Sequence, residues 1–157
     1  MLPLVLAMLT ALHPQAPHVG DAKTVADAIA YVASHDDPIP GLSRESTAAV
    51  MVVTAWGESR FRMRSVGDQG RAFCAMQVHG ESWLTLNPIG CMRSALHLMR
   101  LSALSCKDAP LAPYAGGCNS RSARWISAHR LKEAERIEAE ARRALAAIAS
   151  AAPPAAP

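Results

Sequence analysis

The run Ala48-Ala49-Val50-Met51-Val52-Val53-Thr54-Ala55-Trp56 constrains this chain more than any other feature. An element that is apolar on every side has no face to offer water, so it belongs inside. Ser43 ahead of it is a good N-cap, and Gly57 follows it. The β-branched residues make a buried strand the rival reading. The length of the run and the cap favour a helix from Ser43 to about Gly57. An interior helix must be wrapped by other elements. The chain has 157 residues, enough for one domain with a real core and little more. With hydrophobic residues at 50% and charged ones at 18%, disorder is excluded for most of it.

The wrapping elements read as helices. Leu2 to Leu12 is apolar apart from Thr10. It resembles the core of a signal peptide or an anchor, although no basic residue precedes it and Pro3 is early. A first buried helix has the same pattern. Residues 1–20 are therefore set apart as an apolar segment and linker, with the domain over 21–150. Asp21 is placed to cap a helix over Ala22–Ser34, where Val25, Ile29 and Val32 recur at helical spacing. His35–Gly41 breaks it. From Gly57 to His79, glycines and polar residues suggest a loop or short hairpin. Asn87–Gly90 reads as a turn, Cys91–Leu104 as a helix, and Cys106–Asn119 as a loop. Ser122–Ser150 is a long helix with Leu131, Ala134, Ile137, Ala141, Leu145 and Ile148 as its seam, supported by a Glu138–Arg142 pair. Residues 151–157, alanine and proline only, read as a disordered tail. The fold class expected is mainly α, an α+β arrangement with a small hairpin or loop lobe beside the helices. No apolar run reaches the roughly 18 residues that span a bilayer.

Charge and cysteine use narrow the function. A formal net charge of +3 is too mild to argue for nucleic acid, though it suits an anionic polymer. The basic residues of Arg121–Arg143 alternate with Glu133, Glu135, Glu138 and Glu140, which describes a solvated helix face. No phosphate-binding loop is present, and a nucleotide enzyme is unsupported. Cys74, Cys91, Cys106 and Cys118 form no C-x-x-C pair, so an even count favours two disulfides and an oxidising compartment. Four cysteines allow three pairings. Cys74–Cys91 and Cys106–Cys118 is the pairing expected, since each closes a short local loop, and four reduced thiols are the alternative. His79 invites a metal reading, but no pair of histidines stands four apart on a helix. No metal or cofactor is expected.

Glu58 is the ionisable group with the most chemical promise. It follows directly on the buried helix, at the negative end of the helix dipole, between Trp56 and Phe61. Both settings disfavour the charged form. A carboxylic acid that keeps its proton can protonate a poor leaving group, as glycosidic oxygen requires. The plain alternative is a surface glutamate paired with Arg62.

Three short elements occur together. Gly57-Glu58-Ser59-Arg60-Phe61 is followed by Val66-Gly67-Asp68-Gln69-Gly70, by Cys74-Ala75-Met76-Gln77, and then by Tyr114-Ala115-Gly116-Gly117. In order and spacing these resemble the soluble lytic transglycosylases and goose-type lysozymes. Those families share Glu-Ser at the end of a buried helix, a glycine-containing loop with Gly-Leu-Met-Gln, and Tyr-Asn-Ala-Gly. The resemblance covers roughly Ser43 to Ile137. Cys74 and Ala75 replace the glycine and leucine of the second element, and Ala115 the asparagine of the third.

The resemblance implies a lysozyme-like fold with a glycan groove between the helices and the small lobe. It makes Glu58 the catalytic acid and base. Ser59 would support the acid or the sugar, Gln77 and the backbone around Met76 would line the groove, and Tyr114 would hydrogen-bond Glu58 or substrate. Asp68, in a loop similar to the Gly-Asp-x-Gly of goose-type enzymes, would position water for hydrolysis. Without that second carboxylate the sugar's own 6-hydroxyl attacks, leaving a 1,6-anhydromuramic end. The expectation is a monomeric lytic transglycosylase that cuts peptidoglycan in the periplasm or outside the cell, or within a phage or mobile-element apparatus. A goose-type hydrolase, an inactive glycan-binding protein of the same fold and a small helical interaction protein are the alternatives.

Overall fold

The computed structural model describes residues 1–151. Six helices carry most of the chain: α1 (Leu2–Leu12), α2 (Ala22–His35), α3 (Arg44–Ser59), α4 (Pro88–Ser105), α5 (Ala112–Ala115) and α6 (Arg121–Ala151). Between α3 and α4 lie three two-residue strands, β1 (Val66–Gly67), β2 (Ala72–Phe73) and β3 (Val78–His79). They form an antiparallel sheet in the order β1-β2-β3, with Val66 opposite Phe73 and Ala72 opposite His79. The fold is thus mainly helical with a small β lobe. Ala151, which the sequence places in the tail, ends α6, and the rest of that tail lies outside the described residues. No helix among the described residues is long and apolar enough to cross a membrane.

Helix α3 is the axis of the molecule. Thr47 through Ala55 are buried without a break, as an all-round apolar helix requires. Ser43 caps it, its hydroxyl accepting from the Ser46 amide at 3.0 Å. The helix runs past Gly57 to Ser59 and stops where Arg60 and Phe61 both turn left-handed, with φ of 55° and 60°. A bulky residue adopts that region only when its surroundings compel it. Phe61 is fully buried, so packing holds it there. Asp21 helps: it does not cap α2, and its carboxylate accepts instead from the Met63 amide at 2.8 Å. Gly20 lies so close beneath that a Cβ would come within 2.7 Å of the Arg60 carbonyl. The end of α3 is thereby clamped from below.

Helix α1 shares the core of the elements that follow residue 20. Leu4, Val5, Met8 and Leu9 of α1 are core residues, and α1 packs along α6. Burying each such side chain stabilises by about 2 kcal/mol. Arg136 of α6 also donates to the Ala11 carbonyl at 3.1 Å. The apolar pattern of Leu2–Leu12 therefore belongs to a packed helix of the same body. Likewise Asn87–Gly90 is the first turn of α4, with the Asn87 side chain accepting from the Gly90 amide at 2.8 Å and Pro88 at the first helical position.

Of the two expected disulfides, Cys74–Cys91 is formed and ties the end of β2 to α4. A bridge of this kind suits an oxidising compartment. Cys106 and Cys118 are free thiols. The Cys118 sulfur is turned onto the Ser105 carbonyl at 3.8 Å, and a hydrogen bond with the Cys106 thiol pushes its own thiol above the ordinary range.

Candidate active site

Glu58 lies in the last turn of α3. It is neither an isolated acid nor a partner of Arg62. Its Oε1 accepts from Arg130 Nη2 at 2.6 Å, across 72 residues of sequence. Arg62 is engaged elsewhere, its Nε donating to the Ser59 carbonyl at 2.9 Å. Trp56 and Phe61, expected to shield Glu58, form their own cluster. Their rings stand 5.4 Å apart, and the Arg60 guanidinium sits 4.2 Å over the indole.

The three sequence elements meet around this carboxylate. Ser59 is buried, and its hydroxyl donates to the Ala75 carbonyl at 2.8 Å while accepting from the Arg62 amide at 3.1 Å. It bolts α3 to the Cys74–Gln77 loop, its proton is committed there, and its burial keeps it from a sugar. The Met76 side chain is wholly buried in the core, which leaves its backbone as the part near the site. Its carbonyl accepts from the Tyr114 hydroxyl, which therefore does not bond Glu58 directly. Burial, and after it the negative charge of Glu58, pushes the Tyr114 phenol well above its usual range. Tyr114 stays a neutral donor.

Gln77 is half-buried, with Nε2 donating to the Cys74 carbonyl at 3.0 Å. Its Oε1 presses on Gly67, where any Cβ would collide with it. Gln77 lines a cavity of about 550 Å³ with Tyr114, His79, Leu98, Leu101 and Ser102. A second cavity of about 420 Å³ is lined by Trp56, Gly57, Arg60, Trp125, His129 and Arg130. Glu58 lines neither cavity itself, but it pairs with Arg130 of the second, and its charge acts on Tyr114 of the first.

Asp68 is elsewhere occupied. It begins a tight left-handed turn with φ of 49°. Its carboxylate meets Arg71 at 3.0 Å and His79 at 2.7 Å. The same contact accounts for His79 without a metal.

Compared with known proteins, the chain matches no family model, and no curated protein or solved structure shows significant similarity to it. The site thus rests on its own geometry. Sequence reasoning missed Arg130, although the seam of α6 contained the signal. Ala123, Ser127, Ala134, Ile137 and Ala141 are buried. Steps of three and four place Arg130 on the same stripe. A charge on a buried stripe needs a partner, and that partner is Glu58.

Proposed function

We propose that this protein is a lytic transglycosylase that cleaves the β-1,4 bond between N-acetylmuramic acid and N-acetylglucosamine in peptidoglycan. The observation that carries the reading is a carboxylate in the last turn of the buried helix, held by Arg130, with Ser59 tied to Ala75 and Tyr114 to Met76 beside it. Cavities lined by Tyr114 and by Arg130 offer room for a polymer.

Glu58 gives its proton to the bridging oxygen as the bond to C1 breaks, and positive charge develops on the ring. The carboxylate left behind stabilises that charge. It then takes the proton of the sugar's 6-hydroxyl as that oxygen bonds C1. No water is consumed, and Glu58 ends as it began, protonated. Gln77 and Tyr114 would border the glycan on one side, and the exposed indole of Trp125 would offer a ring face on the other. One carboxylate suffices for this route. The engagement of Asp68 with Arg71 and His79 favours it over hydrolysis. The disulfide agrees with work in the periplasm or outside the cell.

Mass spectrometry of fragments released from purified peptidoglycan tests the reading. Wild-type protein should yield products one water lighter than hydrolysis would, with 1,6-anhydro ends. Glu58→Gln should lower the yield by about 10³-fold. Reducing ends would instead establish a hydrolase, and no product from wild type would leave a glycan-binding protein.

A further inference from the structure

Cys106 and Cys118 are free thiols that the proposed chemistry leaves idle. They stand at the two ends of one segment. Cys106 caps the end of α4, and Cys118 lies just ahead of α6. Between them run α5 and Tyr114, whose hydroxyl reaches the Met76 carbonyl and which lines the cavity of about 550 Å³.

Packing brings the two thiols together. Cys106, Ala109, Ala112 and Ala123 form a small buried cluster apart from the main core, and Cys118 packs on it. The Cys118 sulfur rests at 3.8 Å on the carbonyl of Ser105, the residue before Cys106. It also shares a hydrogen bond with the Cys106 thiol. A thiol is a weak donor, so little holds the sulfur in that position. Cys106 is buried and Cys118 half-buried, so a reagent in solvent meets Cys118 first.

The segment has few other fastenings. Its cluster is built of alanine and cysteine, which bury little apolar area. The Leu111 amide donates to Ser127 Oγ at 3.0 Å, and the Tyr114 amide to Ser102 Oγ at 3.3 Å. Segments held this lightly open far more readily than the whole molecule unfolds. A covalent tie across the two ends removes much of that freedom. The chain already holds one bridge, Cys74–Cys91. A compartment that keeps such a bridge is one where disulfide oxidants are at hand.

We propose that Cys106 and Cys118 form a thiol–disulfide exchange site whose closure locks the Tyr114 segment. The oxidant is a low-molecular-weight disulfide. Cys118, as the thiolate, attacks one sulfur of that disulfide, and one small thiol leaves. Cys106 then attacks Cys118 Sγ, and the second small thiol leaves. The two protein thiols give up two electrons and two protons, and the two small thiols carry both away. The new bridge joins the end of α4 to the approach of α6, with Tyr114 pinned between them. Closure is independent of whether the site cuts glycan.

The test keeps the whole protein with Cys74–Cys91 formed, a bridge whose cysteines are both wholly buried. It is equilibrated with reduced or with oxidised glutathione and quenched in acid. The thiols are then labelled in denaturant and counted by mass. Reduced glutathione should leave two labelled thiols and oxidised glutathione none, with peptide mapping placing the new bridge at Cys106–Cys118. Amide exchange over residues 107–117 should slow by at least about tenfold in the bridged form, while α3 is unchanged. Cys118→Ser should show no slowing under the same oxidant. Should that variant fail to fold, wild type in its two states decides. Two labelled thiols in excess oxidised glutathione overturn the proposal. So does a bridge between two copies through Cys118, an exchange of partners with Cys74 or Cys91, or a Cys106–Cys118 bridge that leaves amide exchange as it was.

Discussion

Glu58 and Asp68 both pair with arginine, yet the two pairs are built from opposite materials. Asp68 finds Arg71 three residues away, on an exposed turn, with His79 across the sheet. Glu58 finds Arg130 at a distance of 72 residues, and the arginine is 11% exposed. A local pair on a solvated turn forms wherever the turn forms and stabilises little. A buried pair between distant helices exists only when the whole body is assembled, and breaking it strands a charge. The first clasp shapes a loop. The second makes one site from two ends of the chain.

That contrast can be broken most severely at Glu58 itself. Glu58→Gln should lose about 10³-fold in product formation, while Asp68→Asn stays within about twofold of wild type in the same fragment analysis. Equal losses would dissolve the distinction. Next in size is the bridge that holds the Asp68 lobe to the helices. Replacing Cys74 and Cys91 by serine should cost about 3 kcal/mol in denaturant unfolding. Amide exchange should quicken in β1–β3 more than in α3. Smaller again is Ser59→Ala, which leaves the buried Ala75 carbonyl without its donor and should cost about 2 kcal/mol in the same unfolding measurement. Smallest is His79→Ala, which removes one exposed partner of Asp68. Its cost should be about 0.5 kcal/mol or less and should vanish in 1 M salt.

The same division separates what the sequence reveals from what it conceals. Helix α3 is legible because burial writes itself as an unbroken apolar run, and Ser43 marks its start. The meeting of Ser59, Met76 and Tyr114 with Glu58 is legible only through a pattern of short motifs. No periodicity connects residues so far apart. Their individual roles were harder to read. Ser59 and Met76 face inward because a helix end must be bolted to its neighbour, a demand that spacing does not display. Asp21 resembled a cap and serves Met63 instead, since an aspartate at a helix start can accept from any amide brought close. The Cys106–Cys118 bridge was inferred from a short loop alone. The two thiols do lie close together, yet they remain unjoined, with the Cys118 sulfur on the Ser105 carbonyl. Arg130 hid among alternating charges that describe a solvated face everywhere except at that one position of the buried stripe.

The packing of α1 along α6 has a consequence in time. Of the described elements, α1 leaves the ribosome first and α6 last, so the core that joins them closes only when synthesis is nearly over. Contacts of such long range fold slowly, because loop closure precedes its reward. Glu58 and its motif neighbours emerge well before Arg130, which arrives with α6. A growing chain therefore carries Glu58 for most of its synthesis without the arginine that pairs with it, and the ion pair exists only after the last helix has docked.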